Sequence, residues 1–117
     1  MFTIFYLSTC DTCRRILKLW TPSQDVILRE IKAEPIDATE LDRLMGKVGN
    51  YKDLLNTRSR KLKEWAIDWR SLSDAETREL ILRDYSLLKR PILETPDRVL
   101  AGNSKKVVEE ARTLLHP

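Results

Sequence analysis

Residues 1–20 read MFTIFYLSTCDTCRRILKLW, and this stretch decides the fold. Phe2 to Leu7 is a short apolar run rich in aromatic and β-branched residues, bounded by Ser8 and Thr9. Such a run reads as a buried strand. Cys13, Ile16, Leu17 and Trp20 follow at i, i+3, i+4 and i+7, one face of a helix. Thr21-Pro22-Ser23 ends that helix, and Val26 to Ile31 alternates loosely as a second strand. A strand, a helix and a strand in about thirty residues leave room for a parallel crossover.

Beyond Ala33-Glu34-Pro35 the pattern turns helical. Asp37 can cap a helix that places Leu41, Leu44, Met45 and Val48 on one face, with Glu40 set for a capping box and Gly49-Asn50 as the stop. Thr57 can cap a second helix through Leu62, Trp65, Ala66 and Trp69. Ser73 and Glu76 form another capping box, opening a helix through Leu80 and Ile81 to about Asp84. Residues 34–87 thus read as helical throughout. Strands return at Pro91 to Glu94 and Arg98 to Ala101, separated by the turn Thr95-Pro96-Asp97. Ser104 can cap a last helix with Val107, Val108, Ala111, Leu114 and Leu115 facing a core. Trp20, Trp65 and Trp69 read as core, and His116 as a mobile terminal residue.

The chain has 117 residues, 42% hydrophobic and 33% charged, an ordinary globular mixture. That suits one domain over 1–117, with 34–87 as a helical insertion. Twenty-one Lys and Arg against 18 Asp and Glu give a formal charge of only +3, which argues against direct nucleic-acid binding. Two cysteines are too few for a disulfide-built scaffold. No apolar run approaches the roughly 18 residues that span a bilayer. The apolar start lacks a basic region before it and reads as a strand rather than a signal peptide, so the expected location is cytoplasmic.

Cys10-Asp11-Thr12-Cys13 is the sharpest feature. A C-x-x-C between a first strand and a first helix reads as a redox motif. The helix N-terminus offers free backbone N–H groups and the positive end of the dipole, which stabilise a thiolate. Cys10 precedes the helix and takes the nucleophile role. Cys13, one turn in and partly on the apolar face, takes the resolving role. Asp11 opposes the thiolate, while Arg14 and Arg15 favour it. Two competing readings are zinc and incidental buried cysteines. Two Cys and a distant His fall short of the roughly four ligands zinc requires. Arg58 and Arg90 read by spacing alone as solvated side chains. Yet Arg90, held extended by Pro91, can aim a guanidinium at the cysteine loop. A helix N-terminus with two arginines would make an anion pocket.

Three blocks together resemble the ArsC/Spx family: Tyr6 to Arg15, Asn56-Thr57-Arg58-Ser59, and Leu87 to Leu93 followed by Val99-Leu100-Ala101-Gly102. The resemblance implies an α/β, thioredoxin-like fold with a four-stranded mixed sheet and an inserted helical subdomain. It also implies either a glutaredoxin-coupled arsenate reductase or an Spx-type regulator that binds RNA polymerase. By the same resemblance Cys10 is the attacking thiol, and Arg58 and Arg90 match two of three arginines that hold the oxyanion. Pro91 matches a proline used in cis, and Thr12 is structural at the site. Gly102 stands where the third arginine would be. Cys13 departs from the single-cysteine reductases towards the regulators. Gly49 resembles a glycine at the regulators' polymerase-binding face, although a helix-ending glycine has an ordinary structural role.

The leading expectation is a thiol-dependent oxidoreductase acting on a small oxyanion or a disulfide. It holds no bound cofactor and draws electrons from glutathione, glutaredoxin or thioredoxin. The alternatives are a redox-sensitive regulator of RNA polymerase and a general glutaredoxin-like exchanger.

Overall fold

The computed structural model describes residues 1–117. Four strands, β1 (Thr3–Tyr6), β2 (Ile27–Glu30), β3 (Ile92–Glu94) and β4 (Val99–Ala101), form one sheet in the order β2-β1-β3-β4. β1 and β2 are parallel, while β3 runs antiparallel to both β1 and β4. The helices are α1 (Asp11–Trp20), α2 (Ala38–Val48), α3 (Arg60–Glu64), α4 (Asp74–Arg83) and α5 (Lys105–Leu115). This mixed sheet with helices on both faces is the thioredoxin-like α/β arrangement expected from the sequence.

Strand register explains why there are two apolar layers. Ile4, Leu93 and Leu100 lie side by side across β1, β3 and β4. They pack with Ile16 and Trp20 of α1 and with Val108 and Ala111 of α5. Their neighbours Phe5, Ile92 and Val99 point to the opposite face, as the two-residue period of a strand requires. There they meet Leu41 and Leu44 of α2, Leu80 and Ile81 of α4, and Leu54, Leu55, Leu87 and Leu88.

Trp20 is fully buried, as expected, and its indole N–H donates to the Val108 carbonyl at 3.0 Å. Both capping boxes form, at Asp37/Glu40 and Ser73/Glu76. Ser104 caps α5. Gly49 closes α2 at φ +108°, a conformation that suits glycine.

Between β2 and β3 the sequence reading needs three corrections. First, the helix expected to run from Thr57 through Trp69 is only α3, capped by Ser59 rather than Thr57. It stops because Ala66 takes φ +53° and the Ile67 N–H reaches back to the Leu62 carbonyl at 2.8 Å. That is a left-handed helix stop built without the glycine that normally signals it. Second, Trp65 is consequently 36% exposed, not core, and Trp69 opens a 3-10 turn (Trp69–Ser71) at the edge of the core. Third, the segment is not helical throughout. Leu55 pairs with Leu88 in an isolated antiparallel bridge, fixed by Lys89 N–H to Leu54 O (2.8 Å) and Asn56 N–H to Leu87 O (2.9 Å).

At the chain end, His116 is tied rather than mobile. Its Nε2 lies 2.6 Å from the Trp20 carbonyl, at the C-terminal end of α1. Two carboxylates hold the layers in place. Glu94, buried on β3, accepts from Arg43 (2.7 Å) and Lys47 (2.8 Å) of α2. Glu30, at the end of β2, accepts from the N–H groups of Ser8, Lys32 and Ala33 at 2.6–2.8 Å. The Ser8 N–H is the largest reason its carboxyl is held down at about 2. Glu30 thereby fixes the loop that leads from β1 to Cys10.

Candidate active site

Cys10 is the N-cap of α1 in an extended conformation (φ −92°, ψ 116°). Its N–H donates to Leu7 O at 3.1 Å, and its carbonyl accepts from Arg14 N–H at 3.0 Å. The backbone is therefore fixed on both sides of a half-buried thiol. Cys13, one turn on, is fully buried against the core shared by α2 and α4.

The two thiols differ in acidity for physical reasons. At Cys10, burial pushes the pKa up. The Cys13 backbone and thiol and the Arg90 guanidinium outweigh it, and the net shift is downward. At Cys13, burial dominates, the developing Cys10 charge adds to it, and the thiol is pushed up to about 12. Cys10 ionises first and Cys13 stays protonated beside it. Asp11 and Arg14, expected to compete over the thiolate, instead pair with each other at the surface. The cation that acts on Cys10 is Arg90.

Arg90 precedes Pro91 across a cis peptide bond. Its Nη1 donates to Ser86 O at 3.0 Å, and the Asn56 side-chain amide donates to that same carbonyl at 3.0 Å. Asn56 in turn accepts from the Arg58 N–H at 3.2 Å. One carbonyl thus ties the Arg58 loop to Arg90, on top of the Leu55–Leu88 bridge. Sequence reasoning missed Ser86, and no local signal marked it.

Cys10, Thr12, Arg58, Arg90, Lys89 and Asn103 line one open cleft of about 450 Å³. Arg58, exposed as its spacing suggested, and the half-buried Arg90 both line this cleft with Cys10. Cys13 lies beneath the cleft rather than in its wall. Pro91 is buried behind it, with its carbonyl accepting the Gly102 N–H at 2.9 Å. Gly49, at the end of α2, is not part of the cleft. No three His, Cys, Asp or Glu side chains are gathered in a way that could hold a metal ion. The cleft brings the Cys10 thiol together with cationic side chains.

A titration checks this electrostatic picture. The rate of Cys10 alkylation by iodoacetamide against pH is expected to have its midpoint below the ordinary thiol value of 9.0. Arg90→Met moves that midpoint upward, because the thiolate loses a cation. A midpoint unmoved by Arg90→Met would mean that the guanidinium does not act on the sulfur.

A model of the ArsC family matches residues 5–111. The chain belongs to the ArsC family. The family resemblance read from the three sequence blocks is therefore correct. The global transcriptional regulator Spx of Streptococcus mutans is 32% identical over 105 residues, 87% of this chain and 76% of that protein. An arsenate reductase related protein from Brucella melitensis is 30% identical in solution structure, with a TM-score of 0.69 over 93% of this chain and 92% of that one. The arsenate reductase from Vibrio cholerae shares the fold, with a TM-score of 0.77 over 93% of this chain and 95% of that one, at 20% identity. Within the ArsC-family fold the cleft lies where α1, the loop before β3 and the loop after β4 meet.

Proposed function

We propose that this ArsC-family protein is a thiol-dependent oxidoreductase in which Cys10 attacks and Cys13 resolves. The observation that carries the reading is a half-buried thiol at the N-terminus of α1, lining a cleft with Arg58 and Arg90, and a second thiol fully buried one turn on. With a disulfide substrate, Cys10 thiolate attacks one sulfur and the other leaves as a thiolate. Cys13 then attacks the Cys10 sulfur, its proton passes to the departing thiolate, and a Cys10–Cys13 disulfide forms. Two electrons have gone to the substrate. External thiols such as glutathione, glutaredoxin or thioredoxin return them. With arsenate, Cys10 sulfur bonds to arsenic and water leaves. Attack by Cys13 on that sulfur then releases arsenite, and arsenic takes the two electrons. Arg58 and Arg90 would neutralise charge on either substrate.

Purified reduced protein is assayed with arsenate and with a small disulfide, supplied separately with glutathione plus glutaredoxin and with thioredoxin. Turnover of either substrate is expected. No turnover of either, with thiols confirmed as reduced, would overturn the enzyme reading.

A second reading is an Spx-like regulator whose Cys10–Cys13 disulfide alters its affinity for RNA polymerase. The observation favouring it is the similarity to Spx proteins, together with a second cysteine packed against the core. Pull-down of polymerase from host lysate under reducing and oxidising conditions tests it, and retention that ignores redox state would count against it.

A further inference from the structure

Lys89 reaches the cleft by a route that the motif reading did not include. Its backbone is fixed by the bridge, through N–H to Leu54 O at 2.8 Å. Its side chain lies along Gly102. A Cβ at residue 102 would sit 2.9 Å from Lys89 Cδ, 3.4 Å from Cγ and 3.7 Å from Cε. The Lys89 Cδ methylene therefore stands in the space that a Cβ at 102 would need, with Cγ and Cε at contact distance. Gly102 also has φ +100°, so a side chain there would be strained as well as crowded. The glycine works as a groove for the lysine stem.

The charge balance gives this groove a purpose. Arg58, Lys89 and Arg90 all line the cleft, and no Asp or Glu does. None of the three forms an ion pair anywhere in the protein. Elsewhere in the helical segment Arg43 and Lys47 pair with Glu94, Arg78 with Asp42 and Lys61 with Glu64, while Lys52, Arg60, Lys63, Arg70 and Arg83 form no ion pair. Three unpaired cations lining one cleft suit a multiply charged anion. A stem already held against the wall loses less side-chain freedom when its ammonium binds.

We propose that Lys89 is an anion-binding and specificity-determining residue of the Cys10 cleft, held in place by Gly102, and that it makes the cleft select doubly charged over singly charged anions. The proposal deepens the oxidoreductase reading and rests on its oxyanion arm.

The test follows alkylation of Cys10 by iodoacetamide, which is uncharged, in the intact reduced protein, with peptide mass analysis to confirm the site. Sulfate serves as the dianion and nitrate as the monoanion, with ionic strength held constant by chloride. Wild-type protein is expected to be protected by sulfate at lower concentration than by nitrate. Lys89→Met keeps the stem and removes the charge. It should raise the half-protecting sulfate concentration about tenfold, the order of one charge-assisted contact, and leave nitrate protection nearly unchanged. Lys89→Arg should restore sulfate protection. Gly102→Ala, shown by urea unfolding to be folded, should lose it as Lys89→Met does.

Equal sulfate protection in wild type and Lys89→Met would overturn the proposal and leave the reading of Cys10 and Arg90 intact. Parallel loss of sulfate and nitrate protection in Lys89→Met would overturn the specificity claim. No protection of the wild type by sulfate would overturn the oxyanion arm itself, and small-disulfide turnover would then show whether thiol exchange survives.

Discussion

Cys10→Ser is expected to lose turnover of every substrate by roughly a thousandfold or more, because a serine hydroxyl at neutral pH is neither ionised nor able to carry a disulfide. The surrounding geometry gives no second route. Cys13 is the other thiol of the chain, and it is fully buried with its ionisation pushed up to about 12. At neutral pH it is protonated and out of reach of a substrate in the cleft. Cys13→Ser should behave differently. It still forms the first adduct at Cys10, but release then depends on an external thiol, so a mixed disulfide accumulates when glutathione is scarce. Mass analysis of the trapped protein distinguishes the two variants. Equal turnover in Cys10→Ser and wild type would sink the assignment of the nucleophile. Wild-type rates in Cys13→Ser at every thiol concentration would remove the resolving role and leave a one-cysteine mechanism.

Trp20→Ala should produce the largest loss of stability of any single change in α1, about 3–5 kcal/mol. Trp20 is fully buried among Ile4, Ile16, Leu93, Leu100, Val108 and Ala111, and it is the largest of the fully buried side chains. Truncation removes that apolar contact and leaves a cavity between α1, α5 and the sheet. The hydrogen bond to Val108 O is lost with it. Trp20→Phe keeps most of the apolar volume and gives up the indole donor, and it should cost less than half as much. Urea unfolding followed by circular dichroism measures both. If Trp20→Ala does not fold, Trp20→Phe and Trp20→Leu still order the series. A loss below about 1 kcal/mol for either Ala or Leu would mean that α1 is anchored elsewhere. Because Cys10 caps α1, the folded variants also report whether the helix anchor affects thiol acidity, through the same alkylation profile.

Much of this architecture was legible because its signals are local. The β1 apolar run, the α1 face of Cys13, Ile16 and Trp20, and the capping boxes at Asp37 and Ser73 all depend on residues within one or two turns of each other. The C-x-x-C at the strand-to-helix junction was equally plain. The helix of Thr57 to Trp69 was misread because its stop at Ala66 uses a left-handed backbone without glycine or asparagine. The pairing of Asp11 with Arg14 depends on side-chain direction, and that is invisible in a spacing.

The amino-acid order by itself determined the α/β pattern, the family and the position of a thiol at a helix N-terminus, since each follows from periodicity, capping chemistry or a matched block of residues. It could not determine what surrounds that thiol. Cys10 is separated by dozens of residues from Arg58 and Arg90. They share a cleft because β3 pairs with β1, because Leu55 bridges Leu88, and because Ser86 O accepts from both Asn56 and Arg90. The burial that keeps Cys13 protonated and the groove at Gly102 that holds Lys89 also arise only when distant segments pack. Desolvation and charge convergence are properties of three-dimensional packing, and only the tertiary structure decided them.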